Sequence, residues 1–119
     1  MDIAVTNGNS SNLSILLGNG DVTFQNQKTY SIGFDTRSVI AGDFNNDNEL
    51  DVVVANGMDN SISILFSNGD GTFQNRTVYE AGLAPMFTTA SDFNNDAKLD
   101  LAIVNSWDSS NVILLNFCS

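Results

Sequence analysis

The sequence predicts an all-β fold built from β-propeller blades, each a four-stranded antiparallel sheet of about 49 residues. Three observations support this fold. The chain repeats itself with that period, each period contains short apolar segments separated by turn residues, and no stretch keeps the apolar periodicity of a helix. Roughly two and a half blades fit within the 119 residues.

The internal repeat is clear by direct comparison. DFNNDNELD at residues 43–51 returns as DFNNDAKLD at residues 92–100, with seven of nine positions identical. The same shift of 49 superimposes residues 2–30 on residues 51–79 with 15 identities in 29 positions. Repeats of this length are typical of propeller blades. A β-sandwich is the alternative for such strands, but it has no reason to repeat its sequence at this interval.

One full period contains four predicted strands. Residues 52–55, VVVA, form a β-branched run expected of a strand covered on both faces. Clusters rich in Asn, Gly and Asp separate the strands and suit tight hairpins. The strands are predicted near residues 38–44, 50–56, 61–67 and 72–80. The aromatic residues that recur with the period are predicted to form inter-blade core: Phe24, Phe73, Phe44 and Phe93.

We predict a single propeller segment over residues 1–119, with a partial blade at 1–31, a complete blade at 32–80 and a partial blade at 81–119. A closed propeller needs about four to eight blades. The apolar faces of the two outer sheets are therefore expected to be exposed. The chain is expected either to form part of a longer propeller or to self-associate.

The two nonapeptides have the form D-x-N-x-D-x-x-x-D, which places oxygen-bearing side chains at loop positions 1, 3, 5 and 9. In a tight loop such side chains converge, and Ca²⁺ takes about six to eight oxygen ligands. The alternative is an Asx-rich turn that satisfies only its own backbone; two copies in register favour a metal. The predicted ligands are Asp43, Asn45, Asp47 and Asp51 with the carbonyl of Glu49, and Asp92, Asn94, Asp96 and Asp100 with the carbonyl of Lys98.

The choice of calcium follows from the ligand types. The chain has no histidine and one cysteine, Cys118, which argues against zinc or copper. Magnesium demands tighter octahedral geometry and is the weaker candidate. Glycine is usual at loop position 6, where this chain has Asn48 and Ala97. Asn enters left-handed backbone conformations more easily than Ala, so the first loop is expected to be the firmer site, and glycine in place of Asn48 is expected to strengthen it.

The charge excludes several partners. Four basic residues stand against 14 acidic ones, a net charge of −10, and such a surface repels nucleic acid and anionic lipid. No apolar run approaches the roughly 20 residues of a membrane-spanning helix, and the first residues do not have the pattern of a signal peptide. Without histidine or a pair of catalytic glutamates, an enzyme is not expected.

Three Asn-x-Ser/Thr sequons begin at Asn9, Asn12 and Asn75. Such sequons are acceptors of N-linked glycans in secreted proteins. In a chain this rich in Asn and Ser, chance also explains them.

The run GDFNNDNELDVVVAN at residues 42–56, followed by SISILFSNGDGTF at residues 61–73, resembles the FG-GAP/VCBS repeat, also found in the propellers of integrin α subunits. The resemblance implies a β-propeller with calcium in the D-x-N-x-D-x-x-x-D hairpin, ligand binding by loops on one rim, and an extracellular or cell-surface location. We therefore expect a non-enzymatic adhesion or recognition module with a protein or glycan partner. A lectin-like carbohydrate-binding propeller is the alternative, and a hydrolase on the same scaffold is the weakest.

Overall fold

The computed structural model describes residues 2–7, 11–80 and 84–105, and the backbone of residues 111–114. Within these residues the chain forms ten strands and no helix, which confirms the all-β prediction. This part of the chain therefore contains no helix long and apolar enough to cross a membrane. The strands are β1 (Ile3–Asn7), β2 (Asn12–Leu16), β3 (Lys28–Ser31), β4 (Thr36–Gly42), β5 (Asp51–Asn56), β6 (Ser61–Leu65), β7 (Thr77–Glu80), β8 (Pro85–Ser91), β9 (Asp100–Asn105) and β10 (Asn111–Leu114).

The strands form three antiparallel sheets that follow one another along the chain. The first sheet has the order β1-β2-β3, the central sheet β4-β5-β6-β7, and the third sheet β8-β9-β10. In the central sheet Val53 pairs with Ile40 on one side and with Ile64 on the other. Consecutive strands are neighbours throughout, as in a meander of the propeller-blade type.

The central sheet departs most from the predicted strand boundaries at its fourth strand, while the ends of the other three strands differ by one or two residues. The fourth strand was expected over residues 72–80, but β7 begins at Thr77. Phe73 makes only an isolated bridge with Ser67, and its N–H donates to the Tyr30 hydroxyl of the first sheet at 3.1 Å. The outermost strand is shorter than predicted because this segment turns toward the neighbouring sheet.

The core lies in two layers on either side of the central sheet. All six residues of β5 are buried, as the β-branched run predicted, and because side chains alternate along a strand they divide between the two layers. Val53 packs toward the third sheet with Leu101 and Ile103. Val52 and Val54 pack toward the first sheet, in the layer that contains Leu13, Ile15, Ile32 and Leu65.

The outer sheets expose the positions that the central sheet buries. Val54 is fully buried, whereas Val5, its equivalent in the first sheet, is 42% exposed. Phe44 is 5% exposed, whereas Phe93, its equivalent in the third sheet, is 46% exposed. The prediction that the recurring aromatics form inter-blade core therefore holds for Phe44 and not for Phe93, because within the described chain only Phe44 has a sheet on both sides. Phe73 packs against the core layer while Phe24, its equivalent, is 38% exposed.

Candidate metal centre

The two Asp-rich loops occupy the same place in two sheets. The first, residues 43–50, joins β4 to β5, and the second, residues 92–99, joins β8 to β9. Each connects the first two strands of its sheet, and each ends where the last aspartate of the motif begins the next strand. Because the two strands are antiparallel neighbours, both ends of the loop lie at the same end of the sheet.

In each loop the carboxylate of the first aspartate accepts hydrogen bonds from backbone N–H groups of residues that fold around it. Asp43 Oδ1 accepts the N–H of Asp47 at 3.1 Å and its Oδ2 accepts that of Asn48 at 2.9 Å. Asp92 Oδ1 and Oδ2 accept the N–H groups of Asp96 at 3.1 Å and Ala97 at 2.8 Å. The two loops therefore have the same geometry although their residues at positions 6 and 7 differ.

The last aspartate of the motif fastens the loop to the sheet. Asp51 is fully buried, with Oδ2 accepting the N–H of Phe44 at 3.0 Å and Oδ1 accepting that of Ser67 at 2.9 Å. Asp100 Oδ2 accepts the N–H of Phe93, also at 3.0 Å. This role was not expected from the sequence, which assigned the last aspartate to the metal alone. The recurrence of an aspartate at residue 2 was the available signal, since Asp2 Oδ1 accepts the Gly18 N–H at 2.9 Å, the repeat equivalent of the bond from Ser67 to Asp51.

The three carboxylates of each motif converge. Carboxylate oxygens of Asp43, Asp47 and Asp51 all lie within 4.8 Å of one another, and the same is true of the second set, formed by Asp92, Asp96 and Asp100. Oxygens at these separations can share one cation whose ligands lie about 2.3–2.6 Å away. The structure thus groups the six aspartates that the sequence assigned to the sites into two convergent sets of three.

The asparagines at position 3 of the two motifs differ in their hydrogen bonding. Asn45 Oδ1 is buried and has no hydrogen-bond donor among the described residues. In the second loop the Asn94 amide oxygen lies 3.0 Å from Asp96 Oδ1 and 3.1 Å from Asp92 Oδ1, although turning the amide over would give two hydrogen bonds. With its amide turned over, Asn94 donates to both carboxylates, so in the second loop the convergent aspartates carry the metal assignment. The donor set fits a calcium ion.

The predicted carbonyl ligands belong to residues whose amides lie in the same turn. The N–H of Glu49 donates to Asp47 Oδ1 at 2.9 Å, and the N–H of Lys98 donates to Asp96 Oδ1 at 3.0 Å. The Glu49 carboxylate is not part of the convergent set. Coordination by these two carbonyls stays a prediction.

Charge and burial act on the loop carboxylates in opposite directions. Burial raises the pKa of Asp51, the N–H groups of Ser67 and Phe44 lower it, and the charges of Asp47 and Asp43 raise it, with a net increase. At Asp92 burial alone would raise the pKa, but four backbone N–H groups of the loop lower it overall. The negative charges of Asp43 and Asp47 repel the carboxylate of the buried Asp51, and a bound cation would relieve this repulsion.

Comparison with known protein families decides what these loops belong to. The FG-GAP-like repeat family matches residues 1–54 and again residues 43–103. The chain belongs to the FG-GAP-like repeat family. The resemblance read from the motifs is thereby confirmed, and both matches include the first Asp-rich loop of this FG-GAP repeat chain. Neither the curated proteins nor the solved structures gave a match.

Proposed function

We propose that this FG-GAP repeat chain is a calcium-binding, non-enzymatic recognition module that works outside the cell or at its surface. The observation that carries the proposal is the convergence of three carboxylates in each loop. In the first loop the Asn45 amide oxygen is also buried without a donor among the described residues. A buried oxygen without a hydrogen-bond donor lowers the stability of the folded state by about 1–3 kcal/mol. A calcium ion would satisfy it and neutralise most of the charge of the three carboxylates.

Calcium would act here as a brace. Asp43 draws the loop backbone around itself, while Asp51 joins the loop to the hairpin that follows β6 through Ser67. An ion held by both carboxylates would fix the connection between β4 and β5 to the rest of the sheet. This is a stabilising role, and no catalytic step is assigned to it.

The experiment that tests the calcium role is equilibrium unfolding of the chain in saturating calcium and in a calcium chelator. An ion that binds only the folded state adds about 2.7 kcal/mol per site at a concentration 100 times its Kd. Magnesium at the same concentration is the control and should stabilise less. Equal unfolding curves in calcium and chelator would rule the proposal out.

The recognition role is supported by the opposite rim of the central sheet. Phe34 and Met58 lie at the ends of β4 and β5 away from the Asp-rich loop, and they are 60% and 74% exposed. Their backbones are joined, because the Met58 N–H donates to the Phe34 carbonyl at 3.3 Å and the Phe34 N–H donates to Asp59 Oδ2 at 2.9 Å. Two exposed apolar residues joined through their backbones can contribute to a contact surface.

The partner of this rim is proposed to be a protein or a glycan. A glycan array probed with the chain separates the two, with Phe34→Ser as the variant and Val22→Ser, at an exposed residue outside the rim, as the control. Array binding lost only in Phe34→Ser supports a glycan, whereas no array binding leaves the protein partner. Array binding unchanged in both variants would contradict the use of this rim.

A further inference from the structure

The sequons at Asn12 and Asn75 have different settings in the fold, while Asn9 lies outside the described residues. Asn12 begins β2 and is half-buried, and its Oδ1 accepts a 2.6 Å hydrogen bond from Asn7 Nδ2. Ser14, the hydroxyl residue of that sequon, is 5% exposed and accepts a second bond from the same amide at 2.9 Å. Asn12 and Ser14 are therefore held within the sheet, and Ser14 is hardly accessible to a transferase.

Asn75 is in the opposite situation. It is exposed and lies in the irregular segment just before β7. Thr77, the hydroxyl residue of its sequon, is also exposed, while Arg76 between them turns inward and donates from Nη1 to Ser63 Oγ at 3.1 Å. The inward arginine leaves Asn75 and Thr77 on the outer surface.

Space and position both suit a bulky group at this point. A cavity of about 390 Å³ opens beside Asn75 at the seam between the first two sheets, lined by Thr29, Tyr30, Ser31, Asn75 and Arg76. The adjoining strand β7 is the edge of the central sheet. Exposed edges pair with other chains unless they are blocked, so a glycan here would shield this edge.

We propose that Asn75 is an attachment site for an N-linked glycan and that Asn12 is not; this rests on the extracellular location in the proposed function. In the transfer, Asn75 Nδ2 forms a bond to the anomeric carbon of an oligosaccharide carried on a lipid pyrophosphate. The bond from that carbon to the pyrophosphate oxygen breaks, the lipid pyrophosphate leaves with the electron pair, and the amide nitrogen releases one proton. The sequon and its exposure supply the acceptor, and the host transferase supplies the catalysis.

The test is to secrete residues 1–119 from eukaryotic cells behind an added leader and to map glycans by peptide mass spectrometry. The expected result is a glycan on Asn75, none on Asn12, and loss of the Asn75 glycan in Thr77→Val, which keeps the branched side chain of the edge strand. Asn26 is the repeat equivalent of Asn75 and is also exposed, so Lys28→Thr, which creates a sequon there, should add a second glycan.

A secreted, folded chain that carries no glycan on Asn75, or one that carries a glycan on Asn12, would overturn the proposal. Calcium stabilisation is measured on unglycosylated chain from bacteria. Failure of the glycan proposal and failure of the calcium proposal are therefore separate results.

Discussion

Asn48 and Ala97 occupy the same position of the two Asp-rich loops and have the same left-handed backbone angle, φ 65° in both. The expectation from sequence was that alanine at this position sets the second loop apart. Instead the alanine adopts the conformation that the loop requires, and Asn46 and Asn95, two residues earlier, are left-handed as well, at φ 60° and 62°. Ala97 therefore carries backbone strain that Asn48 largely avoids.

Replacing Ala97 by glycine should stabilise the chain by about 1 kcal/mol, because a side chain in the left-handed region costs about 1–2 kcal/mol and glycine has none. Asn48→Gly should stabilise it less, since asparagine tolerates this angle. Denaturant unfolding in calcium measures both. Ala41→Gly, at an exposed position in β4, is the control and should destabilise. A loss of stability in Ala97→Gly would show that the loop does not hold this angle in solution.

Removing a central carboxylate should abolish the calcium response of one loop. Asp47→Ala should remove most of the calcium-dependent rise in Tm that arises from the first site, and Asp96→Ala most of that from the second. Asp70→Ala removes an exposed carboxylate outside both loops and should leave the response unchanged. An equal loss of the calcium-dependent rise in Tm in all three variants would mean that the stabilisation depends on net charge and not on these sites.

The buried aspartate has a structural role that can be measured without calcium. Asp51→Asn should lower the free energy of unfolding by about 1–3 kcal/mol, because an amide cannot accept from both Phe44 and Ser67 and leaves one buried N–H unsatisfied. Asp2→Asn is the matched control, since Asp2 is exposed and accepts from Gly18, and should have a much smaller effect. Similar losses at both positions would contradict the importance of burial.

The exposed faces of the outer sheets predict self-association. Phe87, 61% exposed on the third sheet, and Val5, 42% exposed on the first, belong to faces whose equivalents are covered at the central sheet. Sedimentation of the isolated chain should show dimers or larger species, and Phe87→Ser or Val5→Thr should weaken them. Met58→Ser, at an exposed rim residue, is the control. A monomer across micromolar concentrations would contradict this prediction.

The sequence predicted the fold class and the grouping of the six aspartates because both depend on local patterns that recur. The β-branched run became the fully buried β5, and the motif spacing alone brought the carboxylates together. The early end of strand pairing before β7 was not predictable, since it depends on Tyr30, which is distant in sequence from Phe73. The local sequence of Phe93, which matches that of Phe44, cannot indicate its exposure, whereas the expected exposure of the outer sheets' apolar faces agrees with it.

The most direct test of the account is isothermal titration calorimetry of calcium into metal-free residues 1–119. The account predicts saturable binding of two ions per chain, one for each convergent set of aspartates, and one ion for the Asp47→Ala variant. Absence of saturable binding, or binding of two ions that survives both Asp47→Ala and Asp96→Ala, would contradict it.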